Sequence, residues 1–134
     1  MSTASSSPDA IGPREVWLTT QTLRGYPHLV PVWFVLDDAG AVWIPTGASS
    51  AKVRNVRANP RVALGFPSDG NVSGDAVAHG TAEVLTSAPD SVLDRFEAKY
   101  TWRPNSEPDR ETGLPVLLKI TVDRWVMGSS KHLG

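Results

Sequence analysis

The chain has no cysteine in its 134 residues, which excludes disulfides, thiolate nucleophiles and cysteine-held metals. Histidine is scarce: His28, His79 and His132 are the only three, so no metal site is expected. No apolar run approaches the ~20 residues that a helical membrane span needs. Charge of either sign is not in excess. The formal net charge is −1, which supplies no global field to draw nucleic acid or an anionic membrane, and neither is expected as a partner. The first fifteen residues, MSTASSSPDAIGPRE, lack the basic-then-apolar order of a signal peptide. With the missing cysteines, this places the chain in the cytoplasm as an expectation. No GxGxxG follows a strand, and no Walker loop occurs, so nucleotide folds built on those loops are excluded. No Ser/His/Asp arrangement and no carboxylate pair stands at a supporting spacing. No catalytic side chain is assigned, and any chemistry is expected to come from a cofactor.

What is present reads as one mainly β domain. Residues 1–14 are small and polar and are expected to be a disordered tail; 15–134 form one domain of ordinary size. Strands are expected over 15–21, 28–37, 41–46, 61–66, 76–85 and 116–127, from β-branched and aromatic content and from alternation such as Val62, Leu64, Phe66. Asp37–Gly40 is a hairpin turn signal. A short helix is expected over 52–60, stopped by Pro60. A second is expected over 87–100, with Ser87 as N-cap, Asp90 near the positive end, and Val92, Leu93, Phe96 and Tyr100 at helical spacing. The stretch 101–115 is a long polar, proline-rich loop, a length that often carries function. The order β-β-β-α-β-β-α-β with short hairpin links predicts a six-stranded antiparallel sheet closed as a barrel, with helices over the gaps.

Four features carry candidate chemistry. The octet PTGASSAK, 45–52, ends a strand and opens a helix. It is either a capped turn or a phosphate cradle, in which a serine hydroxyl, free backbone amides, the helix dipole and Lys52 meet one anion. A lysine in a first helical turn opposes the dipole, and an anion between them resolves the conflict. Arg54 and Arg57 extend the basic surface. Pro31 stands inside an apolar strand, which marks either an edge strand or a break that frees backbone groups for a flat polar ring. The five tryptophans serve either packing or stacking on a flat ligand. His79 is either a structural strand residue or a base.

Taken in order, GYPHLVPVWFVLDDAGAVWIPTGASSAKVRNVRANPRVALGF and DGNVSGDAVAHGTAEV resemble the split-β-barrel flavin and deazaflavin oxidoreductases, the pyridoxamine 5′-phosphate oxidase-like superfamily with its FMN-binding split-barrel fold. The shared pattern is G-x-P-x-x-x-P-V-W-F, a hairpin, a small polar loop with K-x-R-N, then N-P-R-V. It spans about residues 15 to 127. The PVWF and KVRN wording is most similar to the branch that uses the deazaflavin coenzyme F420. The resemblance implies a homodimer with interfacial cofactor sites and a small-molecule substrate. It implies that Val30, Pro31, Val32 and Trp33 run beside the ring, and that Thr46, Ser49, Ser50, Lys52 and Arg54 serve the ribityl chain and phosphate. It also implies that residues 124–134 reach the partner's site. The FMN-using oxidase branch carries an arginine near Leu29 or Val30, and here that position is apolar. The resemblance therefore implies F420 rather than FMN, with hydride transfer from the reduced deazaflavin to an unsaturated organic substrate. An FMN oxidoreductase of the same fold and a non-catalytic F420 carrier are the alternatives.

Overall fold

The apolar run 28–37 folds as two strands, not one, and the break shapes the molecule. The structure is a computed structural model that describes residues 14–68, 75–105 and 107–129. Its strands are β1 (Val16–Gln21), β2 (Pro27–Val32), β3 (Val35–Leu36), β4 (Val42–Gly47), β5 (Arg61–Phe66), β6 (Ala76–Leu85) and β7 (Pro115–Met127); its helices are α1 (Ala51–Ala58) and α2 (Asp90–Tyr100). All strands join one antiparallel sheet in the order β2-β1-β5-β6-β7-β4-β3. The two edge strands, β2 and β3, are separated in the chain only by Trp33 and Phe34. Three Cα steps span at most ~11 Å. The sheet therefore curls until its edges nearly meet, which is a barrel split along one seam. The seventh strand is the two-residue piece cut from the expected 28–37 strand.

The seam is held by the end of α2. The Phe34 amide donates to the Tyr100 hydroxyl at 2.9 Å, and Lys99 Nζ donates to the Phe34 carbonyl at 3.0 Å. The Tyr100 hydroxyl lies 2.6 Å from the Arg14 carbonyl and 3.0 Å from that of Phe34. Backbone groups that leave the ladder at the break are thus satisfied by side chains. Arg14, assigned from sequence to the tail, is one of these anchors; the rest of that tail and residues 130–134 lie outside the described residues.

Alternation sends Val16 and Leu18 of β1, Val62, Leu64 and Phe66 of β5, and Leu118 and Ile120 of β7 into the barrel, and Val53 and Val56 of α1 cover it. Each such side chain contributes ~1.5–3 kcal/mol by burial. Buried Asn55 of α1 donates to the buried Thr20 hydroxyl at 3.0 Å, which satisfies both. On the outer face, α2 packs Val92, Phe96 and Tyr100 against Val35, Trp43 and Leu117. The hairpin at Asp37 forms as expected: its carboxylate accepts from the amides of Ala39 and Ala41 and from the Trp43 indole, and Gly40 takes φ +86°.

Two helix boundaries differ from the sequence expectation. α1 ends at Ala58 because Asn59 turns extended before Pro60. α2 starts at Asp90, not near Ser87. Pro89 is its cap residue, extended at φ −59°, ψ 151°, and no side chain caps the helix. Pro31 lies on β2, the sheet edge, where its missing N–H interrupts no ladder between two neighbours.

Candidate functional site

The octet 45–52 is the end of β4, a turn, and the first turn of α1. Ser50 is the N-cap, with extended backbone and a side chain that accepts from the Val53 amide at 3.4 Å. Of the two serines weighed for that role, Ser49 is not the cap. Thr46 donates its hydroxyl proton to Ser50 Oγ at 3.1 Å, and Lys52 Nζ donates to Thr46 Oγ1 at 3.1 Å. The lysine thus folds back over its own helix end. It is half-buried, burial holds its pKa below the ordinary lysine value, and no carboxylate pairs with it among the described residues. The first turn of α1 contains no acidic residue to offset it or the dipole. A cation half out of water with no counter-charge, beside two hydroxyls, is a seat for an anion.

The loop amides are not all free, contrary to expectation. Ala48 N donates to the Leu114 carbonyl at 2.8 Å, Ser49 N to that of Thr112 at 2.9 Å, and Ser50 N to that of Gly47 at 3.1 Å. The amides left without an intrahelical acceptor are those of the first helical residues, Ala51 and Lys52. The acceptors for Ala48 and Ser49 come from the loop before β7. Gly47 is required there: a Cβ at 47 would stand 2.1 Å from Thr112 Oγ1.

A cavity of about 1000 Å³ adjoins the octet, bounded by the end of β2, the ends of β4 and β7, the start of α2, and the loop 102–114. Pro31, Val32, Trp33 and Thr46 line it; Ser50 and Lys52 are outside the lining and are joined to it only by their hydrogen bonds with Thr46. Val30 shares the barrel-facing side with Leu18 and does not line it. Ser49 is exposed against the 109–114 turn. Arg54 is exposed and lies outside the lining, where Arg57 takes part instead. Trp33 is held rigidly, stacked on Tyr100 at 4.3 Å between centroids and 7° between planes, with Trp102 edge-on at 5.7 Å. Trp33 and Trp102 are the tryptophans that line the cavity. Trp43 is buried, Trp125 packs against Phe66, and Trp17 faces outward. From sequence, Trp102 is one of five tryptophans with a stacking reading and Leu93 is only a helix-packing position; Leu114 is not singled out, because nothing local shows that the loop after α2 returns to β4. His79 lies on β6 in a separate groove of about 620 Å³. Among the described residues no group of three metal-binding side chains occurs, and no helix is long and apolar enough to cross a membrane.

Residues 11–127 match the family model described as Pyridoxamine 5′-phosphate oxidase. The chain belongs to the pyridoxamine 5′-phosphate oxidase family. Solved structures similar to this family member differ in what they are described as. One is an F420 reductase at 21% identity, covering 87% of this chain and 92% of the other, with a TM-score of 0.66. A conserved hypothetical protein, Rv2991 of Mycobacterium tuberculosis, is 27% identical over 93% of this chain and 82% of its own, with a TM-score of 0.65. The heme storage protein HutZ of Vibrio cholerae is 12% identical over 85% of each chain, with a TM-score of 0.64. A search among curated protein sequences finds no match.

Proposed function

We propose that this member of the family is an F420-dependent reductase, which holds the deazaflavin in the cavity beside the octet and delivers its hydride to an unsaturated organic substrate. The observation that carries the reading is Lys52, a half-buried ammonium with no carboxylate partner among the described residues. The residues fit a phosphate-bearing ring: Lys52, Thr46 and Ser50 for the phosphate, and Pro31, Val32 and Trp33 for the ring. When bound, the reduced deazaflavin supplies the hydride. The chain's own part is to bind, to orient and to exclude water, which the apolar walls at Trp33 and Trp102 serve. F420 is favoured over FMN because Leu29 and Val30 offer no cation to a flavin phosphate. The similar F420 reductase supports that choice.

The test is a titration with F420 and with FMN followed by calorimetry, then turnover of a conjugated enone with reduced F420. Tighter binding of FMN than of F420 removes the cofactor assignment. Saturable F420 binding with no turnover of any acceptor favours the second reading, a cofactor carrier. One observation speaks for it: the cavity lining includes no histidine or tyrosine, and of its three carboxylates, Glu15, Glu107 and Asp109, the last is committed to its own turn.

We also infer a homodimer and residence in the cytoplasm. Pro31, Trp17, Gly65, Val77 and Met127 are in register across five strands and so share one face. Trp17 and Met127 on that row are 43% and 52% exposed. A second copy would cover this apolar row. Light scattering should give twice the chain mass at micromolar concentration, and Trp17→Lys should halve it; a monomeric parent removes the dimer.

A further inference from the structure

The amides of Ala48 and Ser49 are consecutive donors beside the Lys52–Thr46–Ser50 chain, and both are satisfied by one element. Leu114 O accepts from Ala48 at 2.8 Å and Thr112 O from Ser49 at 2.9 Å. That element is the turn 109–114. It is shaped to its seat: Thr112 lies where a Cβ on Gly47 would be 2.1 Å from its Oγ1 and 2.5 Å from its carbonyl oxygen, and a Cβ on Gly113 would be 3.3 Å from Ser49 Oγ.

The turn is also self-contained. Asp109 and Gly113 exchange backbone hydrogen bonds of 2.8 and 2.9 Å. The Asp109 carboxylate accepts from the amides of Glu111 and Thr112 and from the Thr112 hydroxyl, at 3.0, 2.9 and 3.0 Å. Those bonds hold its pKa below the ordinary value. Released from the seat, the turn is held only by those internal bonds. Little apolar burial retains it, since Asp109, Arg110, Glu111 and Leu114 are all exposed.

We propose that the turn 109–114 is a self-ligand: its Thr112 and Leu114 carbonyl oxygens hold the amide pair that a phosphate ester takes, and the turn lifts off when the ester binds. The inference rests on the anion reading of Lys52 and adds the other half of that seat. Exchange is favourable because two neutral acceptors give way to anionic oxygens, and charge-assisted hydrogen bonds are the stronger. A ring without phosphate offers no such replacement and leaves the turn in place.

The experiment uses the full chain with FMN, with riboflavin (the same ring without the phosphate) and with inorganic phosphate. The readouts are the Ala48 and Ser49 amide resonances and tryptic cleavage after Arg110. FMN and phosphate should shift both amides and raise the cleavage by about tenfold, as the open population rises, while riboflavin does neither. Asp109→Ala loosens the turn without touching the seat. It should tighten FMN binding by about three- to tenfold, because the competent fraction grows. Gly47→Ala cannot seat Thr112 and should be cleaved after Arg110 at the ligand-bound rate with no ligand present. FMN bound while cleavage and amides stay unchanged overturns the exchange but leaves the Lys52 reading standing. Riboflavin acting as FMN does, or Gly47→Ala cleaved at the parent rate, also overturns it. FMN that binds Asp109→Ala but not the parent supports it, since the turn then blocks the seat. If none of F420, FMN and phosphate binds any of the three proteins, the anion reading fails and the exchange with it.

Discussion

Replacing Lys52 with methionine separates the two meanings of the octet. The variant keeps most of the apolar stem and removes the charge. In the folded chain it loses one hydrogen bond, from Nζ to Thr46 Oγ1 at 3.1 Å. A bond from a charged donor is worth ~1.5–3 kcal/mol, and less where water reaches it. Two terms oppose that loss. The dipole repels a first-turn cation by ~0.3–1 kcal/mol, and burial of the ammonium is itself unfavourable. The terms nearly cancel, so stability should move by less than ~1 kcal/mol. Affinity should not be spared. Losing a charge-assisted phosphate contact removes ~1.5–3 kcal/mol, or roughly ten- to a hundred-fold. The pH dependence adds an independent check. The folded pKa of Lys52 lies below its ordinary 10.5, so the unfolded chain binds more protons in the interval between the two. Stability contributed by this group therefore rises as pH climbs through that interval. The methionine variant should lack that rise, and bound phosphate should suppress it in the parent by restoring the lysine pKa. Urea melts at pH 7 and pH 10, with calorimetry of phosphate ligands, measure all of this. A variant that loses more than about 2 kcal/mol yet binds as the parent does would refute the reasoning, for Lys52 would then be structural.

Ser50→Ala should lower stability by ~1 kcal/mol, because it removes the cap that serves the Val53 amide, and a urea melt reads it directly. Tyr100→Phe keeps the ring against Trp33 but leaves the Phe34 amide without its acceptor; it should cost ~1–3 kcal/mol, and hydrogen exchange at Phe34 should rise ahead of the core. Burial raises the Asp37 pKa, but the Trp43 indole, the Ala41 and Ala39 amides and Lys119 outweigh it and lower it overall. Its contribution is therefore present above the ordinary 3.8 and lost as pH falls through the lower folded value, so Asp37→Ala should flatten the acid limb of the stability profile measured by circular dichroism.

Most strands were legible because each is a local alternation: Val62, Leu64 and Phe66 all face inward in β5, and the strict period of two assigns the face. The Asp37 turn and the short helix after the octet were equally local, as was the lysine that opposes the helix dipole. The break at Trp33–Phe34 was not, because an unbroken apolar run gives no sign that a hydroxyl 66 residues away will take the Phe34 amide. Nor was the loop's return to β4. Thr112 settles on Gly47 across 64 intervening positions, and the sequence around either residue reads as an ordinary turn. Local periodicity therefore determined which residues face the barrel and where a cation meets a helix end. Tertiary packing alone decided which amides of the octet are already taken and which tryptophans line the cavity, because those depend on pairings between distant segments that no short stretch encodes.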